Sequence, residues 1–234
     1  NPSTWVTLTV AGLAMGLLIF IMSSGLTLVF GLMDVMNFAH GLFIAIGAYV
    51  AASSLKAFAA AAGADSLLAN LGAIVPAMLA AAFVAGLLGL AFERLIIKPV
   101  YGQHLKQILI TTGGMIVAEQ LILVFWGPDL LPLARPATLR GSFLIGDMAI
   151  EKYRLIAVVT GLAVFAGMLL LLNRTKIGLL IRAGVENREM VEAMGYRIRR
   201  LFVAVFVAGS ALAGLGGALW GMYKESVTVH IGAN

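Results

Sequence analysis

The sequence predicts an all-α, polytopic membrane bundle, and three observations carry that prediction. Six apolar stretches are each long enough to cross about 30 Å of hydrocarbon at about 1.5 Å of rise per residue. The chain is 61% hydrophobic and only 12% charged, with mean hydropathy +1.01, where soluble domains run to about 45–50% apolar and about 25% charged. None of the stretches alternates in polarity, as the roughly ten-residue strands of a closed barrel would have to do.

The six spans fall at Trp5 to Phe30, Ala39 to Ala62, Leu67 to Phe92, Ile108 to Trp126, Leu155 to Leu172 and Leu201 to Met222. They form one transmembrane domain over 1–234, interrupted by a polar loop at 174–200. Lys and Arg divide unequally between the two sides. Arg94, Lys98 and Lys106 follow the third span, and seven arginines and lysines, from Arg174 to Arg200, follow the fifth. The other side carries Lys56, Arg135, Arg140, Lys152, Arg154 and Lys224. Ten against six places the Arg-rich loop in the cytoplasm and both visible ends outside. The same distribution explains the net charge of +5 by topology rather than by nucleic-acid binding.

Three connections stand out. The outer one, Gly127 to Lys152, carries Pro128, Pro132 and Pro136, which bias it toward extended or turn structure; it is either a platform for an external partner or a solvated link. Gly31 to Gly41, between the first two spans, has no Lys or Arg, so it reads as a helix break held at membrane depth against protein or a water-filled cavity. The chain starts at Asn1 without methionine and stops at Asn234 just after a span, and neither end resembles a signal peptide. A cut at the C-terminal side is expected.

Asp34, Asn37, His40 and Gly41 form the first candidate site. A polar group in hydrocarbon without a partner costs several kcal/mol, so the cluster needs a reason. Either Gly31 and Gly41 let the helix unwind while Asn37, Phe38, His40 and freed backbone line a path for a polar solute, or Asn37 and His40 merely cap helix ends. Glu119, with Gln120 beside it and Thr111 and Thr112 earlier in the span, is a buried hydrogen-bonding post or part of the route. Gly209, Ala213, Gly217 and Gly221 make a ridge of small residues on the last span, with a shorter one at Gly12 and Gly16, which suits close helix packing.

The densest charge lies at Gly178 to Arg200. Gly184 and Gly195 bracket a helix expected at Val185 to Met194, with Glu186 and Glu189 in its first turn and Arg197 beyond its end, the signs the helix dipole favours. Met190, Val191 and Met194 share a face, an adaptable surface for a soluble partner's groove. A helix lying flat on lipid would be expected to show a basic polar face, and this one includes Glu186, Glu189 and Glu192. Enzyme chemistry lacks its parts. There is no phosphate-binding G-x-x-x-x-G-K-[ST], no H-E-x-x-H and no G-x-S-x-G, and His40, His104 and His230 stand far apart with no cysteine to complete a metal site. No catalytic residue, metal or cofactor is assigned to this chain.

Gly25 to Gly41 (GLTLVFGLMDVMNFAHG) followed by Ile46 to Val50 (IGAYV) resembles the second-helix signature of the branched-chain amino acid ABC transporter permeases, H-type subunit. Arg94 to Tyr101 (RLIIKPVY), Arg182 to Gly195 and Ala208 to Gly217 (AGSALAGLGG) match the same family in the same order. The resemblance implies an inner-membrane importer subunit paired with an M-type permease, two cytoplasmic ATPases that bind ATP and Mg, and a periplasmic solute-binding protein. It implies that Asn37 to Gly41 belong to the translocation path. It makes Val185 to Met194 the coupling helix, with Glu186, Asn187, Arg188, Glu189, Met190, Glu192 and Met194 facing the ATPase. Many members carry glutamate where Leu42 stands, and cousins on this scaffold carry urea, short amides or aromatic acids. Members also continue with further spans past this point. A secondary transporter with an ion site at Glu119 and His40, and a passive channel, are the rival expectations.

Overall fold

The computed structural model describes residues 2–145 and 148–232. Six helices are long and apolar enough to cross a membrane: α1 (Pro2–Met33), α2 (His40–Ala57), α4 (Leu67–Phe92), α5 (His104–Trp126), α6 (Lys152–Arg174) and α9 (Ile198–Lys224). The chain is an all-α multi-pass membrane protein. Short helices α3 (Ala59–Ala62), α7 (Lys176–Glu186) and α8 (Arg188–Ala193) fill connections. The second span, expected to reach Ala62, breaks at Phe58, leaving α3 as a single turn. The third runs on through a π-turn at Glu93–Ile97 and a 3-10 turn at Lys98–Val100. Pro99, which has no N–H to continue the helical ladder, lies in that last turn.

α9 is the hub, packed by α1, α2 and α4 on different sides. In the most apolar window of each helix, 56% of α9 and 67% of α2 is buried, but only 11% of α5 and of α6. Between apolar helices in an apolar solvent, close backbone approach replaces the hydrophobic drive, and glycines provide it at three crossings. Gly209 lies against Gly25 of α1, where an added Cβ would come 2.8 Å from the Gly25 carbonyl oxygen. Gly217 abuts the Ile44 carbonyl of α2, and Gly214 abuts both Gly47 of α2 and Ala81 of α4. Gly221 meets Ala48 and Leu133, and Ala213 is fully buried. The shorter ridge expected at Gly12 and Gly16 meets nothing within 4 Å among the described residues, because both lie on the exposed face of α1 while Ala14 and Leu18 are the buried residues of that stretch.

The outer connection is packed down on the helix ends. β1 (Leu131–Pro132) pairs antiparallel with β4 (Ser226–Val227), and β2 (Ser142–Ile145) with β3 (Met148–Glu151). Leu133 and Leu139 are buried beneath it. Asn70, with no exposure, donates to the Ala61 and Ala64 carbonyls and accepts from the backbone and hydroxyl of Thr138. Arg135 donates to the carbonyls of Met222 and Tyr223 and pairs with Glu151 and Glu225, capping the free carbonyls at the end of α9.

Candidate functional site

α1 ends where Asp34 takes a left-handed backbone, φ +53°, a conformation that a short polar side chain tolerates better than most. Gly31, expected to loosen the helix, lies inside α1; Gly41 lies inside α2 and supplies space instead. From Asp34 the chain turns back along α5. The Met36 N–H donates to Gln107 Oε1 and the Phe38 N–H to Thr111 Oγ1, each at 3.4 Å, with Gln107 and Thr111 wholly buried. Gln107 donates in turn to the Val100 carbonyl at 3.0 Å, and the Thr111 hydroxyl to the Gln107 carbonyl at 2.7 Å. Backbone that has left the helix thus finds partners on one stripe of α5 rather than in water.

The stripe continues, by steps of four, through Met115 to Glu119. Glu119 is not the buried post. That role falls to Gln107 and Thr111, while Glu119 lies 3.7 Å from His230 Nδ1 beside a cavity of about 180 Å³ that Gln120 and Asp129 also line. His40, expected as a possible ion partner for Glu119, points elsewhere, its Nε2 2.8 Å from the Met22 carbonyl oxygen. A carbonyl only accepts, so Nε2 carries a proton.

That contact fixes the depth of the break. Met22 lies eleven residues before the end of α1, so α2 starts about 16 Å along the bundle from Met33. Asn37 makes the local turn, its Oδ1 accepting from the Ala39 N–H at 3.1 Å and its carbonyl from the His40 N–H at 3.3 Å. Asn37 and His40 are 6% and 7% exposed, while Phe38 is turned outward. Leu42, at the position where a glutamate was the alternative, is buried in the apolar core.

A second non-helical segment arrives from the opposite side. Beyond α9, Glu225 is left-handed at φ +56°, β4 pairs with β1, and the 3-10 turn Val229–Gly232 comes back along α2. Gly221 lies against Ala48, yet Gly232 lies against Gly41, seven residues or about 10 Å deeper. The two irregular segments therefore meet at the start of α2, beside a cavity of about 620 Å³ lined by Asn37, Phe38, His40, Gly41 and Gly232 with Leu26, Thr27, Phe30, Val35, Met36 and Ile44.

At the Arg-rich end, the single helix expected over Val185 to Met194 is two helices. Asn187 is extended at φ −152°, and its Oδ1 accepts from the Met190 N–H at 2.9 Å. An asparagine gains more as an N-cap than inside a helix. Glu189 stays in a first turn, whereas Glu186 ends α7. The expected apolar face also divides: Val191 is buried, and Met190 and Met194 are exposed. Glu186, Asn187, Glu189 and Glu192 are exposed with them. Gly195, φ +86°, closes the turn.

From this surface a line of contacts runs inward. The Arg188 guanidinium lies over the Phe202 ring at 5.4 Å, and Tyr101 meets the same ring edge-on at 5.8 Å. The Tyr101 hydroxyl donates to Glu93, a carboxylate 1% exposed whose second oxygen has no partner among the described residues. Burial, then that bond, push the Tyr101 phenol well above its usual range, so it remains a donor. One turn along α9, Phe206 stacks on Phe92, and both touch Phe43 in the first turn of α2. Sequence reasoning ended the third span at Phe92 and so passed over Glu93 by one residue.

A family model described as "Branched-chain amino acid transport system / permease component" matches residues 8–234. The high-affinity branched-chain amino acid transport system permease protein BraD of Pseudomonas aeruginosa is 32% identical over 95% of this chain and 73% of its own length. LivH of Salmonella typhimurium, with the same description, is 27% identical over 94% of this chain and 72% of its own. The probable branched-chain amino acid transport permease protein LivH of Methanocaldococcus jannaschii is 26% identical over 90% and 64%. No solved structure gives a significant match.

Proposed function

The chain belongs to the branched-chain amino acid transport permease component family, and from that premise we propose that it is the H-type permease subunit of an ABC importer for branched-chain or related amino acids in the bacterial inner membrane. The observation that carries this reading is the cavity at the start of α2, where two irregular segments meet about 16 Å inside the bundle. Irregular backbone is tolerated at that depth where it is buried in protein or lines a water-filled cavity, and here it borders one. Asn37, Phe38, His40 and Gly41 form the route.

The chain performs no covalent chemistry and needs no cofactor of its own. Two cytoplasmic ATPases bind ATP and Mg and seat on Glu186, Asn187, Glu189, Met190, Glu192 and Met194, the exposed residues on and around α8, with Arg188 turned inward. The contacts from Arg188 through Phe202, Phe206 and Phe92 to Phe43 support this assignment, because they join that surface to the first turn of α2. An M-type permease completes the pore, and a periplasmic binding protein delivers solute to the proline-rich side.

Purification of the tagged chain from membranes tests the partners: an ATPase and a second permease are expected to copurify. Uptake of labelled leucine, competed with isoleucine, urea, acetamide and phenylacetate, identifies the solute; competition by urea or acetamide alone would reassign it to short amides. A second reading rests on the Glu119 and His230 pair, which could hold a proton in an ion-coupled carrier. Loss of uptake on collapsing the proton gradient at constant ATP would favour it.

A further inference from the structure

We propose that the proline-rich end of the bundle binds an anionic phospholipid, its head group between Lys56 and Arg140 and its acyl chains in the groove enclosed by α2, α4 and α5. The proposal needs only a membrane around the chain and is independent of what the chain transports. Two adjoining cavities carry it. One, of about 640 Å³, lies beneath the connection after α5, where the ends of α2 and α5 meet α3 and Leu131 to Arg135. Lys56, Arg135 and Arg140 line it, and no Asp or Glu does. Arg135 is committed to the carbonyls at the end of α9 and to Glu151 and Glu225. Lys56 and Arg140 pair with no carboxylate among the described residues, and Arg140 uses only its Nε, on the Arg135 carbonyl at 2.7 Å. Two cations on a chamber without counter-charge suit an anion. Trp126, whose indole N–H donates to Ser53 Oγ at 2.9 Å, gives the same wall the amphipathic ring favoured at a membrane interface.

The other cavity, of about 850 Å³, is a groove along the bundle. It exists because α5 stands off from most of α4 and packs instead on α2, the turns after α4 and the Val229–Gly232 turn. Its lining consists entirely of Leu, Ile, Val, Phe, Ala, Gly and Trp. Phe125 and Trp126 line both cavities, so the cationic chamber and the apolar groove adjoin at these two rings. From Trp126 the groove follows α5 to Leu109, about 26 Å. An acyl chain reaches through about half of the 30 Å hydrocarbon layer, so it occupies the part nearest Trp126, past Leu121 and Ala118. A partner's spanning helix would fill the groove and leave Lys56 and Arg140 unanswered, whereas a phospholipid satisfies both cavities at once.

The test uses the tagged protein as it purifies from membranes in mild detergent. It is incubated with equal amounts of phosphatidylglycerol and phosphatidylcholine carrying identical chains, washed on an affinity column and extracted for lipid mass spectrometry. Phosphatidylglycerol is expected to be retained at least about fivefold over phosphatidylcholine, the order one cation contributes at an anionic lipid surface. Lys56→Gln with Arg140→Gln should bring the ratio to parity. Ala118→Phe, which fills the groove, should lower retention of both lipids several-fold. Glycerol phosphate, the same anion without chains, should not displace the lipid at millimolar concentration. Because the chain has no cysteine, Leu121→Cys places one photoreactive maleimide of this chain in the groove, and its crosslink is expected on phospholipid. Equal retention of the two lipids, a ratio unchanged by the double substitution, retention unchanged by Ala118→Phe, displacement by glycerol phosphate, or a crosslink to a second protein chain in place of lipid would each overturn the proposal. The comparison of the two lipids on the unaltered protein does not depend on any variant folding.

Discussion

Single side chains settle where this bundle tolerates polarity. Asn37, His40 and Glu119 could be picked out from sequence because a polar residue within a hydrophobic run is conspicuous. The partners of His40 and Glu119 could not, since Met22 and His230 lie 18 and 111 positions away, and neither could Gln107 and Thr111, which stand 71 and 73 positions from the Met36 and Phe38 N–H groups they accept from, beyond any local pattern. Glu93 escaped notice for a different reason: a charge at the edge of an apolar run reads as the start of a loop, and only the π-turn carries it inside. That carboxylate yields a prediction. Tyr101→Phe removes its one hydrogen bond and should cost about 1–3 kcal/mol, the usual penalty for stranding a buried acceptor. Glu93→Gln, which removes the charge, should make the same tyrosine substitution less damaging. Thermal unfolding of the four variants in a double-mutant cycle measures the difference, and additive losses would mean the pair is not coupled.

Elements were easier to read in their apolar parts than at their ends. The six spans follow from length and hydropathy alone. The division between α7 and α8 does not, because GVENREM satisfies helical periodicity as well as it satisfies an asparagine cap, and the cap wins through its bond to Met190. Asn187→Ala should therefore cost about 1 kcal/mol of local stability and favour a continuous helix. Solute-stimulated ATP hydrolysis should fall several-fold with little change in assembly. An unchanged ratio of transport to hydrolysis would show that the break is not used. The crossings between elements were legible only as a ridge of small residues, Gly209 to Gly221; which helix each glycine meets depends on the fold. Gly217→Val would drive a side chain into the Ile44 backbone, and a shift of that kind typically costs about 1–3 kcal/mol or more. Loss of a monodisperse peak on gel filtration in detergent would report it.

At the scale of the whole molecule, α9 packs most extensively against three of the other five spans and accepts the Tyr153 hydroxyl of α6 at the Leu219 carbonyl, while α5 and α6 leave most of their surface outward. That arrangement was not visible in hydropathy, which treats every span alike. Neither was the return of Ser226–Gly232 into the bundle, since a short polar tail after a span looks like the start of a surface loop. The charged surface around α8 is joined to Phe43 in the first turn of α2 through Phe202, Phe206 and Phe92. Replacing Glu186 and Glu189 together by lysine should abolish solute-stimulated ATP hydrolysis and uptake while membrane insertion is kept; wild-type coupling in that variant would remove α8 from the drive. The stretch from Lys224 to Gly232 meanwhile behaves as a ruler. Arg135 pins one end of it and glycine-to-glycine contact with Gly41 fixes the other, so its reach is set by residue count. Lengthening it by even one residue would slide the far end off its mark.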